Sequence, residues 1–99
     1  MAEQKVAGRA TKRSPKRFDF FARIDGVQEV AISGDFTNWT EEGIRLTQDA
    51  PGEWHALLSL IPGEYQYRLR VDGQWTDHPD AEKRVPNPFG TENCVLIVE

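Results

Sequence analysis

The feature that most constrains this 99-residue chain is a predicted β-hairpin whose turn is Asp72-Gly73. An Asp-Gly pair between alternating strand residues is a strong hairpin signal, because both turn positions require positive φ. If these two residues form the loop, the flanking strands have one register. It pairs Val71 with Gln74, Arg70 with Trp75, Leu69 with Thr76, and Arg68 with Asp77.

This register sorts the hairpin side chains into two faces, because side chains alternate along a strand. One set is apolar or aromatic and is predicted to face a core: Tyr65, Tyr67, Leu69 and Val71. The other set is predicted to face solvent: Arg68, Arg70 and Trp75. A large aromatic ring beside guanidinium donors on the outside of a sheet is typical of a ligand-binding surface.

The remaining pattern predicts an all-β domain. Short alternating runs are separated by Gly- and Pro-containing turns, and no window of eleven or more residues shows a helical period. The predicted strands cover residues 17–23, 29–34, 44–47, 54–60, 64–71 and 93–98, with a loop at 35–39 and a Pro-rich loop at 79–88. This spacing predicts an immunoglobulin-like antiparallel β-sandwich. Trp54 is expected in its core, and the single Cys94 is expected to be a buried free thiol typical of a reducing cytoplasm.

Charge divides the chain into two parts. Residues 1–17 carry six Lys or Arg and one acidic residue, whereas residues 18–99 carry six basic and fifteen acidic residues. We therefore expect a basic, disordered tail at residues 1–17 and one folded domain at residues 18–99. The tail has no aromatic residues among its charges, so a solvated leader is preferred over a nucleic-acid-binding arm. The sequence shows no signal peptide or membrane-spanning run, which predicts a cytoplasmic protein without a membrane partner.

Two tryptophans are candidates for ligand contacts. Trp39 lies in a predicted loop, where two interpretations stay open: an anchor for the loop and a platform for a ligand. Trp75 is predicted to face outward, and its alternative role is packing against the Pro-rich loop. Two exposed indoles suit a sugar, because pyranose C–H groups stack on an aromatic face while hydroxyls bind polar groups.

Catalytic and metal chemistry find little support in the sequence. His55 is predicted to be exposed on a strand, and His78 lies in a predicted loop without further ligands at metal spacing. The chain has no Gly-rich phosphate loop or nucleophile elbow, and nothing marks two of its carboxylates as a glycosidase pair. It is therefore predicted to be non-enzymatic, with no cofactor and no metal.

Four ordered motifs make the chain similar to a known family. They are VAISGDFTNW at residues 30–39, PGEYQYR at 62–68, VDGQWT at 71–76 and FGTEN at 89–93. Together they resemble carbohydrate-binding module family 48, the isoamylase N-terminal early set domain, and in particular the glycogen-binding domain of AMP-activated protein kinase β subunits. The resemblance covers residues 18–99. It implies an immunoglobulin-like β-sandwich that binds α-1,4-linked glucans such as glycogen, starch or maltooligosaccharides.

The resemblance also implies roles for individual residues. Trp39 and Trp75 would stack on sugar rings, and Arg68 stands where the family has a lysine that binds glucose hydroxyls. Phe89 stands where the family has a leucine that reaches into the ring of a curved glucan. Thr91 and Asn93 match polar residues that bind hydroxyls. Arg70 is added to the site because the predicted hairpin register places it on the same face as Trp75. The full predicted site is Trp39, Arg68, Arg70, Trp75, Phe89, Thr91 and Asn93.

The chain departs from the family pattern at three of these motif positions. Arg68 has a planar guanidinium where the family has the compact ammonium of lysine, so its hydrogen-bond geometry differs from that of lysine. Phe89 is bulkier than leucine, and Thr37 stands where an asparagine is usual.

Two function classes stay open at this stage. The leading one is a glucan-binding module that stands alone and has no catalytic activity, which the presence of both Trp39 and Trp75 favours. The alternative is a protein-interaction or regulatory subunit that docks a glucan-metabolising enzyme or a kinase, with weak or no sugar binding.

Overall fold

Strands account for most of residues 14–99, which are the residues that the computed structural model describes. Residues 1–13 of the predicted basic tail lie outside the described residues. The nine strands found within residues 14–99 are β1 (Lys16–Arg23), β2 (Val30–Gly34), β3 (Ile44–Arg45), β4 (Thr47–Ala50), β5 (Glu53–Leu60), β6 (Gly63–Val71), β7 (Gln74–Thr76), β8 (Arg84–Pro86) and β9 (Glu92–Val98). A 3-10 helix at Asp35–Thr37 follows β2, where the sequence predicted an irregular loop.

The described strands form two antiparallel sheets of an immunoglobulin-like β-sandwich, as predicted. One sheet has the order β1-β5-β4, and the other has the order β3-β2-β6-β9-β8, with β7 also paired to β6. The predicted single strand at 44–47 is two strands in different sheets. The chain crosses between them at Leu46, which is buried and whose N–H donates to the Val30 carbonyl at 2.8 Å.

The strand boundaries differ from the prediction at both ends of the folded region. β1 begins at Lys16, one residue before the strand predicted at 17–23, because Lys16 pairs with Leu60 of β5. The Pro-rich loop contains the short edge strand β8, which pairs with β9. The sequence pattern did not predict β8, because three residues are too few to show an alternation and the strand is defined by its pairing with β9. No helix in the described part of the chain has the length and apolarity needed to cross a bilayer.

The two sheets bury their facing side chains in one core, and the predicted alternation is confirmed there. Trp54 is buried, and its Nε1 donates to the Ile24 carbonyl at 3.1 Å. Cys94 is buried and free. The core comprises Phe20, Ala22, Val30, Ile32, Leu46, Trp54, Ala56, Leu58, Tyr67, Leu69 and Cys94.

The hairpin register is confirmed. Val71 pairs with Gln74, Arg70 with Trp75, and Leu69 with Thr76. Asp72 and Gly73 have φ of 49° and 84°, as this turn requires. Asp72 also ties the hairpin to the chain before β2, because its Oδ1 accepts the N–H groups of Gln28 and Glu29, both at 2.9 Å.

His78 is buried, although the sequence placed it in a loop of no special environment. Its Nδ1 lies 2.7 Å from the hydroxyl of Tyr67, which is itself buried in the core. Burial lowers the pKa of His78, an effect that Asp80 opposes and Arg84 reinforces. Burial also raises the pKa of Tyr67 above its ordinary value of 10.0.

Candidate functional site

A groove of about 760 Å³ lies on the outer face of the larger sheet. Six of the seven predicted site residues line it, and Arg70 does not. The lining consists of Asp35, Trp39, Gln66, Arg68, Trp75, Asn87, Pro88, Phe89, Thr91 and Asn93. The outward face of β6 forms its floor because Gln66 and Arg68 alternate with the buried Tyr67 and Leu69.

Two indole rings form the aromatic end of the groove. The ring centroids of Trp39 and Trp75 are 6.2 Å apart, and the rings are inclined by 52°. Trp75 is 36% exposed, so its predicted outward orientation is confirmed. The two rings therefore present adjacent aromatic planes at an angle.

Backbone geometry and hydrogen bonds together hold Trp39 in place. Asn38 and Trp39 adopt left-handed conformations with φ of 56° and 57°, which cost free energy in non-glycine residues and cluster at functional sites. The Trp39 N–H donates to the Gly34 carbonyl at 3.0 Å, and the indole Nε1 donates to Asp35 Oδ1 at 3.1 Å. Trp39 is therefore anchored, as one of the two interpretations predicted, and it also lines the groove, while its role as a platform for a ligand stays a prediction.

Gly34 lets this turn approach β6 closely. A Cβ at Gly34 would overlap the Gln66 carbonyl oxygen and would lie 2.8 Å from the Tyr67 Cα. At this separation Asp35 Oδ2 accepts the Gln66 N–H at 2.7 Å. Asp35 therefore links the turn that carries Trp39 to the floor of the groove.

Thr37, where the family pattern has asparagine, supports the same turn. Its Oγ1 lies 2.8 Å from Ser33 Oγ and accepts the Gly34 N–H at 3.0 Å. Ser33 Oγ also reaches the Thr40 carbonyl at 2.6 Å. These contacts explain why Ser33 on β2 is buried, although the strand's alternation would direct it outward.

A chain of amides forms the polar side of the groove. Asn87 Oδ1 accepts the N–H groups of Phe89 at 3.0 Å and Thr91 at 3.2 Å. Asn87 Nδ2 donates to Asn93 Oδ1 at 2.9 Å, and Asn93 Nδ2 donates to Gln66 Oε1 at 3.0 Å. The predicted hydroxyl-binding residues Thr91 and Asn93 are therefore held in a common network.

Phe89 is the most exposed of the large apolar side chains described, at 88%. It lies in the turn between Asn87 and Gly90, and Gly90 has φ of 83°. With Pro88 and the two tryptophans it supplies the apolar part of the groove lining.

The two predicted arginines lie in different surroundings. Arg68 lines the groove, and its Nη2 donates to Asp77 Oδ1 at 2.9 Å. The guanidinium carbon of Arg70 lies 4.8 Å from the centroid of the Trp75 ring, a cation–π arrangement. Arg70 lines a separate depression of about 460 Å³ with Glu29, Glu41, Glu42 and Arg45. The structure does not bring Arg70 into the groove, and its contact with sugar stays a prediction.

Sequence reasoning missed four residues that line the groove: Asp35, Gln66, Asn87 and Pro88. The alternation of side chains along the strand could have predicted Gln66, since Gln66 shares a face with Arg68. The Asn87-Pro88 pair is a turn signal, because asparagine side chains bond the backbone two residues on. Asp35 gave no local signal, since its Gln66 partner is distant in sequence.

The two histidines lie outside the groove lining. His55 was predicted to be exposed, but it is half-buried, with Nδ1 2.6 Å from Asp49 Oδ2. His78 is buried beside Tyr67. The groove lining in the described part of the chain therefore supplies stacking surfaces, amides, one hydroxyl, one carboxylate and one guanidinium.

Comparison with known proteins identifies the family. A model of the family described as the glycogen recognition site of AMP-activated protein kinase matches residues 20–99. This chain belongs to that family. The match confirms the resemblance of the four sequence motifs to a glycogen-binding domain.

Relatives within the glycogen recognition family support the assignment. Subunit beta-1 of 5'-AMP-activated protein kinase from Sus scrofa is 40% identical over 79 residues, covering 80% of this chain and 62% of the relative. The Homo sapiens beta-1 subunit is 40% identical over 79 residues, covering 80% of this chain and 28% of the relative. The Mus musculus beta-2 subunit is 40% identical over 75 residues, covering 76% and 27%. This chain therefore spans only part of the length of these relatives.

Proposed function

We propose that the groove binds α-1,4-linked glucan without catalysing a reaction on it. The observation that carries this proposal is the pair of indole rings, 6.2 Å apart and inclined by 52°, beside a hydrogen-bonded polar row. Membership of the glycogen recognition family supports the same ligand class.

Binding would combine stacking with polar contacts. Glucose units of an α-1,4 chain turn relative to one another, so inclined rings on Trp39 and Trp75 suit a bent chain better than a flat one. Sugar C–H groups would cover the indoles, while Arg68, Thr91 and Asn93 would bind hydroxyls. Because these polar residues are already ordered by Asn87, Gln66 and Asp77, little side-chain entropy is lost on binding.

The expected affinity is modest. Two rings stacked on sugar would remove roughly 150 Å² of apolar surface from water, worth about 4 kcal/mol at about 25 cal/mol/Å². Polar contacts between sugar and protein add to this value. The sugar's lost rotational freedom and the dehydration of polar groups subtract from it. A dissociation constant of about 10–1000 μM follows.

The lining of the groove supports a non-catalytic role. A glycosidase of the usual type needs two carboxylates flanking the scissile bond. Among the residues of 14–99 that line the groove, Asp35 alone carries a carboxylate. Both of its oxygens are already occupied, one by the Trp39 indole N–H and the other by the Gln66 backbone N–H.

Intrinsic tryptophan fluorescence, titrated with maltoheptaose and with β-cyclodextrin, tests the proposal directly. We expect a saturable change for both ligands, because Trp39 and Trp75 line the groove. Cellohexaose, a β-1,4-linked glucan of extended shape, is the control ligand and should give little change. The absence of a response to both α-glucans at millimolar concentration would refute the proposed function.

A kinase partner is a second candidate, and it is compatible with the first. The relatives are named as kinase subunits, and this chain spans only part of their length. Phe21 and Leu57, which are 64% and 55% exposed, lie on the outer face of the sheet opposite the groove. Phe21→Asp with Leu57→Asp should weaken co-purification with a co-expressed kinase catalytic subunit while sparing glucan binding. Unchanged co-purification would exclude this face.

A further inference from the structure

The Asn87 side chain organises the turn at the edge of the groove. Its Oδ1 accepts the backbone N–H groups of Phe89 and Thr91, and its Nδ2 donates to Thr91 Oγ1 at 2.8 Å. The Asn87 backbone N–H also donates to the Thr91 carbonyl at 3.0 Å. One half-buried side chain therefore binds two backbone N–H groups and one hydroxyl inside a five-residue loop.

Phe89 depends on this loop for its orientation. The side chain is 88% exposed, so packing contributes little to holding it in place. Pro88 restricts the backbone before it, and Gly90 supplies the left-handed conformation after it. The Asn87 hydrogen bonds to the Phe89 and Thr91 N–H groups restrain the backbone that carries the phenyl ring.

The same side chain connects the loop to the sheet. Asn87 Nδ2 donates to Asn93 Oδ1 on β9, and Asn93 donates in turn to Gln66 on β6. These hydrogen bonds hold the Phe89 loop against β6. This strand forms the groove floor, carries Arg68 and pairs with the strand of Trp75.

We propose that Asn87 is a positioning residue that presets the turn carrying Phe89 and Thr91, and that it thereby sets how strongly the groove prefers a curved α-glucan, the ligand shape that the family resemblance implies for position 89. The inference rests on the proposed glucan function. A curved α-glucan presents C–H groups on its concave inner side and hydroxyls on its rims. A protruding phenyl ring fixed next to a row of hydroxyl-binding groups matches that distribution, whereas an extended chain would contact the phenyl ring only at its edge.

Asn87→Leu removes every side-chain hydrogen bond while nearly conserving volume. If the binding-competent turn is then populated to about 10%, affinity for β-cyclodextrin falls about tenfold, since apparent affinity scales with the competent fraction. Affinity for a short linear maltooligosaccharide, which depends mainly on the two indoles, should fall by only about twofold. The ratio of the two affinities is the readout, and general destabilisation would lower both equally.

Asn87→Asp is the matched control variant. It keeps an oxygen that accepts the Phe89 and Thr91 N–H groups but loses the donations to Thr91 Oγ1 and to Asn93. We expect the curved-ligand preference to stay within about threefold of the parent, because charge-assisted acceptors of backbone N–H groups hold turns well. If the leucine variant does not fold, a loss of the curved-ligand preference in Asn87→Asp by clearly more than this would overturn the inference that accepting these N–H groups presets the turn.

A second background tests whether Asn87 acts through Phe89. In Phe89→Ala, Asn87→Leu should change the ratio of cyclic to linear affinity by less than half as much as in the parent, because interacting residues are non-additive. An unchanged ratio in Asn87→Leu, or an equal effect in both backgrounds, would overturn the inference while leaving glucan binding itself intact. Loss of the parent's response to every α-glucan would instead refute the proposed function, and this inference with it.

Discussion

Truncation of Trp75 to alanine should weaken α-glucan binding by about 30-fold. The ring lies on the short strand β7 and contacts Trp39 and Arg70 at the surface of the sheet. Its removal takes away one of the two stacking planes, and the residues of the core are left in place. Loss of affinity should therefore exceed loss of stability.

The magnitude follows from the exposed area of the ring. Trp75 is 36% exposed, which for a side chain of about 250 Å² leaves roughly 90 Å² accessible. If the face not covered by Arg70 supplies about half of that area and the sugar loses a similar amount, about 90 Å² leaves water, worth about 2 kcal/mol. This corresponds to about 30-fold in the dissociation constant.

Isothermal titration calorimetry with maltoheptaose measures the affinity without depending on a tryptophan signal. Trp75→Phe retains a smaller stacking plane and should lose less than tenfold. Phe21→Ala removes an exposed aromatic ring from the opposite sheet and should bind like the parent. Thermal unfolding of each variant separates lost binding from lost structure.

One result would refute the reasoning about the aromatic plane. If Trp75→Ala remains folded and binds maltoheptaose within about twofold of the parent, stacking on this ring contributes too little for the area argument to hold. Arg70→Met separates direct from indirect contact. Because the Arg70 guanidinium lies over Trp75 and outside the groove, its loss should weaken binding by less than fivefold, the range of an exposed cation–π contact.

Three further predictions concern stability and the shape of the site. Gly34→Ala should destabilise the fold by about 3 kcal/mol in urea unfolding, because the added methyl group overlaps the Gln66 backbone; an unaltered midpoint would contradict the close approach. Asp35→Ala should cost about 1–2 kcal/mol and weaken glucan binding severalfold, since the Trp39 indole and the Gln66 N–H lose their acceptor; equal binding by calorimetry would speak against it. Lowering the pH from 7 to 5 should reduce the free energy of unfolding, because burial lowers the folded-state pKa of His78 below 6.5 and the unfolded chain takes up the proton first; a slope unchanged in His78→Asn would assign the effect elsewhere.

Several features of the fold could be predicted because their cause is local. Asp72-Gly73 has the backbone freedom that a two-residue turn requires, and this alone set the register of β6 against β7. Alternation with a period of two placed Trp54 in the core and Trp75 at the surface. The boundaries were less accurate, since β1 begins earlier than expected and the strand predicted at 44–47 divides at Leu46 between the two sheets.

Other features depend on contacts between segments that are distant in sequence. Pattern predicted that His78 lies in a loop, but its burial follows from where that loop packs against Tyr67. The importance of Asp35 likewise depends on the approach of its turn to Gln66, which Gly34 permits. In both cases the partner is a residue of β6, and no local period encodes which loops reach that strand.

The sequence by itself therefore determined most of the strands, the hairpin register, the face on which Trp75 stands and the family to which the chain is similar. The tertiary structure alone decided how the candidate site is assembled. It placed Arg68 inside the groove and Arg70 over the Trp75 ring, although both arginines leave β6 on the same face. The physical reason is that alternation fixes the direction in which a side chain leaves the strand, whereas the position of a long flexible side chain depends on the neighbours that pack around it.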